Sequence, residues 1–95
     1  MKKEQIERRK KIIDLYNFLI DNGYTYGMFL NEIMDLYGFT SQRELGEVVG
    51  ISHCMISMYR NEFRKITRKS TYLIHLEKLD RVLNFELDDI KEYLE

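Results

Sequence analysis

The residues between Ser41 and Lys69 that could do chemistry are mainly cations and amides, the groups that bind phosphate. Residues 41–69 hold six basic and three acidic side chains, a formal charge of +3 in a chain whose total is −1. Residues 12–40 and 70–95 each carry −4, and residues 1–11 carry +4. Contact with a polyanion depends on such local clusters of cations rather than on the total charge. The basic residues in 1–11 have two equally supported interpretations: an arm that contacts phosphate, or an ordinary solvated surface.

The sequence has too few suitable residues for a metal site, a redox site or a catalytic site. His53 and Cys54 are adjacent, but the chain has one cysteine and only His75 besides, so a zinc site lacks ligands. An unreactive thiol is the commoner state of a cysteine, and Cys54 is therefore not expected to be a redox sensor. The sequence offers no glycine-rich phosphate loop, no nucleophile with a base and no paired carboxylates beyond ordinary helix surface. It therefore predicts no enzyme activity, metal, cofactor or small-molecule ligand.

Two short helices joined by a tight turn are predicted in the basic segment. Ser41 and Glu44 form a capping box that starts a helix at Gln42, and Gly50 supplies the left-handed conformation that ends it. Ser52 can cap a second helix. Gly46 lies on the inner side, where only a very small side chain lets the second helix approach. The apolar positions are Leu45, Val48 and Val49 in the first helix, Ile51 in the turn, and Ile56 and Tyr59 in the second helix.

This segment resembles the helix-turn-helix of the Cro/phage-repressor (XRE-like) family. The family motif runs glutamine, three residues, a small residue, three residues, glycine, five residues, isoleucine or valine, two residues and a large apolar residue. Family members usually carry Ala at the position of Gly46 and often Trp at that of Tyr59. Asn84 stands at the usual glycine turn, and the likeness covers roughly residues 26–94. The motif positions are occupied by Gln42, Gly46, Gly50, Ile56 and Tyr59.

The resemblance implies a lambda-repressor-like domain whose second motif helix enters the DNA major groove. His53 and Ser57 can hydrogen-bond to base edges, and Met58 or the Cys54 thiol could touch a thymine methyl. This set lacks the side-chain forks that read a base bidentately, so phosphate contacts and DNA shape are expected to contribute more. The expected base-contacting residues are His53, Cys54, Ser57 and Met58. The expected phosphate-contacting residues are Gln42, Arg43, Arg60, Asn61, Arg64, Lys65, Arg68 and Lys69.

The expected function is sequence-specific binding of double-stranded DNA by a transcriptional repressor or regulator of phage or mobile-element type. The alternative is a helix-turn-helix used as a protein-interaction module, such as an adaptor, antitoxin or anti-repressor that does not bind DNA itself. The overall negative charge and the weak base-reading set favour that alternative. The basic loop from Arg60 to Lys69 speaks against it.

Length and composition predict one compact all-α helical bundle. A chain of 95 residues has room for one core, and it contains no proline to interrupt its helices. The sequence lacks an apolar run near the roughly 20 residues that span a bilayer and lacks the apolar core of a signal peptide, so no membrane contact and a cytoplasmic location are expected. Its single cysteine fits a reducing compartment. The predicted helices are residues 3–21, a second from a Thr25 cap to near Gly38, the two motif helices, a fifth from a Ser70 cap to Leu83, and residues 87–94.

The resemblance does not account for the extra amino-terminal helix. The chain is therefore divided into a basic, amphipathic helical segment, residues 1–24, and a helix-turn-helix DNA-binding domain, residues 25–95. Apolar side chains occupy well over half of the circumference of the second part of this helix. A single hydrophobic core cannot easily bury all of that surface. Either a second copy covers it, giving a homodimer, or the helix is clamped into the monomer's own core. A dimer would read half-sites about 34 Å apart. The residues expected in the dimer contact are Ile13, Tyr16, Phe18 and Ile20.

Overall fold

The computed structural model describes residues 2–95, and within that range the chain forms six α-helices and no strand. The predicted all-α architecture is confirmed. The radius of gyration is 12.8 Å, close to the value of about 13 Å expected for a compact domain of this size. The helices are α1 (Lys3–Asp21), α2 (Tyr26–Leu36), α3 (Gln42–Val49), α4 (His53–Arg60), α5 (Lys69–Leu83) and α6 (Leu87–Leu94).

The helix ends follow local backbone chemistry, and most of them lie where the sequence predicts. Thr25 caps α2 by accepting a hydrogen bond from the Met28 amide at 3.1 Å. Asn84 ends α5 in the left-handed conformation, with φ of +52°. The predicted cap of α5 is wrong. The Tyr72 amide donates to the Arg68 carbonyl at 3.0 Å, so the first turn begins earlier and Ser70 lies inside it.

α1 shares the apolar core with the other helices. Its residues Ile12, Leu15 and Leu19 are buried there. α1 runs antiparallel to α5, because Lys11 contacts Asp80 whereas Tyr16 contacts Tyr72, with the two rings edge to face and their centroids 5.2 Å apart. The inner side of α1 is therefore covered within the monomer. Other fully buried side chains of this core are Tyr26, Phe29, Leu30, Ile33, Leu45, Ile56, Leu76, Leu79 and Phe85.

Gly27, which no local sequence pattern marks, lets α4 lie against α2. A β-carbon at Gly27 would collide with the main-chain carbonyl oxygen of Tyr59. Only a residue without a side chain permits this backbone contact between two helices. Gly27 therefore helps to set the position of α4, the helix on which the candidate site depends.

A buried carboxylate joins α1 to the corner between α5 and α6. Asp80 is 2% exposed, and its Oδ1 accepts a hydrogen bond from the Phe85 amide at 2.9 Å. The Lys11 ammonium lies 2.8 Å from the same oxygen and also donates to the Phe85 carbonyl at 3.1 Å. Arg8 Nε lies 3.9 Å from Asp80 Oδ2. Two of the basic residues of segment 1–11 are therefore directed toward an internal carboxylate.

Candidate nucleic-acid interface

The helix-turn-helix begins with a capping interaction at Ser41. The Ser41 hydroxyl accepts a hydrogen bond from the Glu44 amide at 3.1 Å, as predicted. The Glu44 carboxylate does not accept a hydrogen bond from the Ser41 amide. It accepts instead from the Thr40 amide at 3.3 Å and from the Thr40 hydroxyl at 2.8 Å. The second half of the capping box is thus displaced by one residue, and it fixes the approach of the chain to α3.

The turn between α3 and α4 closes directly over Gly46. Gly50 has φ of +74°, and its amide donates to the Gly46 carbonyl at 2.8 Å. A β-carbon at Gly46 would lie 2.5 Å from the carbonyl oxygen of Ile51. An alanine at this position would therefore require the turn to move. The prediction that Gly46 must be very small is confirmed, and the reason is contact with the turn backbone.

α4 keeps one side in the core and the opposite side outward. Ile56 and Tyr59 are buried, and the Ser52 hydroxyl caps the helix by accepting from the Cys54 amide at 3.3 Å. Cys54 and Met58 are exposed, whereas His53 and Ser57 are half-buried. All four residues expected to contact bases therefore retain solvent-accessible surface.

Arg60 is held by polar side chains of two other helices. Its Nε donates to Asn31 Oδ1 at 2.6 Å, and one of its terminal nitrogens donates to Gln42 Oε1 at 3.2 Å. A guanidinium can only donate, so the oxygen of the Gln42 amide must face Arg60, leaving the amide NH₂ free to donate elsewhere. Arg60 is expected to touch phosphate, and the structure gives it a second task of orienting Gln42. Asn31 was missed because its nearness to α4 depends on tertiary packing.

The loop after α4 is tied to α2 through Glu62. Glu62 has φ of +60°, and its Oε1 accepts a hydrogen bond from the Thr25 hydroxyl at 2.6 Å. Its Oε2 lies 3.3 Å from the Lys65 ammonium. The hydrogen bond from Thr25, followed by that from Lys65, lowers the pKa of the Glu62 carboxyl below its ordinary value. The carboxylate therefore offsets part of the charge of Lys65.

A groove of about 230 Å³ beside the end of α4 gathers cations and hydroxyls, and we call it the basic groove. Arg64, Lys65 and Arg68 supply its charge. Such a mixture of cations and hydroxyl donors suits phosphate oxygens. The remaining lining residues are Tyr59, Ile66, Thr67 and Thr71.

The other residues expected to contact phosphate do not line this groove. Arg43 lines a separate shallow groove between α3 and the start of α4, together with His53. The side-chain amide nitrogen Nδ2 of Asn61 donates to the Ser57 carbonyl at 2.9 Å. The Lys69 ammonium lies over the Tyr16 ring of α1, 5.5 Å from its centroid, and so does not line the basic groove.

Phe63 is an exposed aromatic residue in the loop beside these cations. Its side chain is 81% exposed, the largest value among the exposed large hydrophobic residues. Phe63 is not among the site residues predicted from the sequence. Its signal was a lone aromatic side chain within a polar and basic loop, a position that packing into a helical core does not explain.

The four residues expected in a dimer contact do not share one face of α1. Tyr16 packs against Tyr72 of α5, whereas Phe18 lies beneath the Lys91 ammonium of α6, 5.7 Å from the ring centroid. Both belong to the margin of the monomer's core. Ile13 is half-buried, and Ile20 is 47% exposed. Only the two isoleucines leave substantial apolar surface on one outward line.

Within residues 2–95, no helix has the length and apolar character needed to cross a membrane. In the same range, His, Cys, Asp and Glu side chains do not gather in groups of three or more suited to a metal ion. Comparison with protein-family models, curated proteins and solved structures finds no match.

Proposed function

We propose that this protein binds double-stranded DNA through α4 and the basic groove and acts in the cytoplasm as a transcriptional regulator, most simply a repressor of phage or mobile-element type. The observation that carries the proposal is the position of the outward side of α4 beside a groove lined by three cations. The resemblance of the α3–α4 segment to the Cro/phage-repressor helix-turn-helix adds the family's binding mode. The proposal includes no catalytic step.

In this mechanism α4 lies in the major groove and α3 crosses the DNA backbone. Ser57 and His53 donate to or accept from base edges, while Met58 and Cys54 offer apolar contact to a thymine methyl. A single bidentate contact would contribute about 1–3 kcal/mol of discrimination, and these four side chains provide no such fork. Direct readout is therefore modest, and DNA shape contributes to the choice of site.

Phosphate binding holds α4 in the groove. The Gln42 amide NH₂, oriented by the hydrogen bond from Arg60, donates to a phosphate oxygen near the start of α3. Arg64, Lys65 and Arg68 bind the backbone next to the end of α4. This arrangement places phosphate contacts on both sides of the base-reading residues and fixes the register of the protein on the duplex.

The test is selection of bound duplexes from a random pool, followed by titration of the selected duplex with wild type and with Met58→Glu. Met58 lies on the outward side of α4, so the new carboxylate would face the DNA without entering the core. Repulsion by phosphates and loss of the apolar contact predict at least a tenfold loss of affinity, about 1.4 kcal/mol. Val82→Glu, at an exposed apolar position of α5, is the matched control and should bind as wild type does.

Two results would contradict the proposal. If the pool yields no enriched sequence and random duplex does not bind at low salt, the face is not a DNA-binding surface. The protein-interaction module is then favoured, with the segments 12–40 and 70–95, each of charge −4, offering an acidic surface to a partner. If Met58→Glu and Val82→Glu bind equally well, α4 is not the reading helix.

A further inference from the structure

Three isoleucines lie along the outer side of α1 at intervals of seven residues. They are Ile6, Ile13 and Ile20, and we call them the isoleucine stripe. Ile6 is 52% exposed, Ile20 is 47% exposed and Ile13 is half-buried. Seven residues make nearly two helical turns, so the stripe is almost straight and about 21 Å long. The core is filled from other positions of α1, which leaves much of this apolar surface in water.

α5 widens the apolar face at the middle of the stripe. Ile13 lines a groove of about 260 Å³ together with Leu73 and Ile74. Ile74 is 53% exposed. Because α1 and α5 run antiparallel, with Tyr16 beside Tyr72, Ile74 lies level with the centre of α1. The centre of the face is therefore its broadest apolar part, as in interfaces with an apolar core and a polar rim.

The charges beside the stripe change sign along α1. Lys3 and Lys10 are exposed in the first half, and Asp14 and Asp21 are exposed in the second half. The two lysines are seven residues apart, and so are the two aspartates, so the members of each pair lie in line along the helix. Both pairs lie on the same flank of the stripe. One α1 helix thus presents a basic half and an acidic half beside a continuous apolar line.

This pattern is self-complementary when two copies of α1 lie antiparallel. With a two-fold axis near Ile13, Ile6 of one copy lies opposite Ile20 of the other. Lys10 then lies within about 3 Å, measured along the axis, of Asp14 of the second copy, and Lys3 lies similarly close to Asp21. A parallel arrangement would place the charged flanks of the two copies on opposite sides of the stripe, where Lys10 of one copy does not meet Asp14 of the other. Unlike charges meet only in the antiparallel pairing.

We propose that this face is a homodimer contact in which α1 pairs antiparallel with α1 of a second copy around Ile13 and Ile74. The contact consists of one helix face and part of a second. It therefore falls at the low end of specific interfaces, below about 1,200 Å² in total, and the dimer is reversible. An isologous contact of this kind closes on itself and leads to no filament. The proposal does not depend on DNA binding and is measured without DNA.

Sedimentation or light scattering across a micromolar dilution series tests the dimer. The mass of wild type should rise from 11.6 kDa toward twice that value as concentration increases. Ile13→Lys places two cations at the two-fold axis and should hold the mass at 11.6 kDa throughout. Val48→Lys, at an exposed aliphatic position of α3, is the matched control and should dimerise as wild type does. A monomeric wild type at all concentrations, or equal dimerisation of Ile13→Lys, overturns the proposal.

Thiol cross-linking tests the antiparallel orientation. In a Cys54→Ser background, which removes the exposed native thiol, Ile13→Cys should cross-link to itself through a short bismaleimide. Ile6→Cys and Ile20→Cys should each fail to cross-link alone and should form a mixed product when combined. If Ile6→Cys cross-links to itself as efficiently as the mixture does, the helices are parallel and the proposed pairing is wrong.

Discussion

At the scale of single residues, His75 is a titratable group held among aromatic rings. Its ring centroid lies 4.9 Å from that of Tyr26 and 5.5 Å from that of Tyr59. Within residues 2–95, its Nδ1 and the buried Tyr26 hydroxyl have no hydrogen-bond partner. Burial, followed by the positive charges of Lys78 and Arg64, lowers the pKa of His75 below its ordinary value. The folded state therefore prefers the neutral imidazole.

This preference predicts that acid weakens the fold through His75. In the unfolded chain His75 takes up a proton near pH 6.5, while in the folded chain it does so only at lower pH. As the pH falls from 6.5 toward the folded pKa, the unfolded state binds more protons and the free energy of unfolding decreases. Below the folded pKa this loss is complete. Urea unfolding of wild type and of His75→Phe across this range should show a flatter dependence on pH in the variant.

The two proteins share all their carboxylates, so the difference between their curves isolates His75. Parallel curves over the whole range would contradict the assignment of a lowered pKa to this residue. His75→Phe keeps an aromatic ring among Tyr26 and Tyr59, which limits the change in packing.

At the scale of helices, a few polar side chains hold separate elements of the molecule together. Arg60 joins α4 to α2 and α3, and Glu62 joins the loop after α4 to Thr25 at the start of α2. Asp80 joins α5 to α1 and to the turn before α6. The first two ties position the candidate interface, whereas the third fixes α1, which carries the isoleucine stripe.

The Asp80 tie predicts a large loss of stability from a single substitution. Asp80→Ala leaves the Phe85 amide without its acceptor and the Lys11 ammonium without its counter-ion, at a position where Asp80 itself is 2% exposed. Breaking a buried ion pair by removing one partner costs about 3–5 kcal/mol. Lys11 can turn toward water, so we expect the lower limit, about 3 kcal/mol. The measurement is the free energy of unfolding by urea.

Glu92→Ala, at an exposed carboxylate of α6, is the control for Asp80→Ala and is expected to change the free energy of unfolding by less than about 0.5 kcal/mol. Equal effects of the two substitutions would show that the buried ion pair does not stabilise the fold.

At the scale of the whole molecule, the cations available to bind phosphate are more concentrated in the structure than the basic segments of the sequence suggest. The segments 1–11 and 41–69 are both basic. In the structure, Arg8 and Lys11 turn toward Asp80, while Arg64, Lys65 and Arg68 gather at the end of α4. The phosphate-binding potential of the protein therefore lies mainly in the basic groove.

This distribution predicts which arginines set the salt dependence of DNA binding. Each phosphate contact contributes about −0.9 to the slope of log K against log salt concentration, through release of counterions. Arg64→Ala should weaken binding and make the slope less negative by about 0.9. Arg81→Ala removes the same charge about 20 Å along α5 from Arg68 and should leave the slope unchanged. Binding is measured by fluorescence anisotropy at several salt concentrations.

A slope altered equally by Arg64→Ala and Arg81→Ala would mean that the protein responds to salt through its net charge, and the basic groove would lose its assigned role. A salt-insensitive wild type would contradict phosphate binding altogether.

The sequence by itself determined the helices and the inner and outer sides of α4. Capping at Ser41, Ser52 and Thr25 and the left-handed residues Gly50 and Asn84 act over three to five residues, so they can be identified without a fold. The spacing of Ile56 and Tyr59 similarly fixed which side of α4 is buried. At Ser70 the local rule failed, because Arg68 begins the helical hydrogen bonding two residues earlier.

Only the tertiary structure decided how distant polar and apolar groups meet. Arg60 is 29 residues from Asn31, and no local pattern predicts that their side chains bond. Packing against α5 and α6 covered Tyr16 and Phe18 and left Ile20 exposed, so it selected the outward line of α1. Periodicity defines the faces of a helix, but which of two apolar faces is buried depends on the partners that the rest of the chain places beside it.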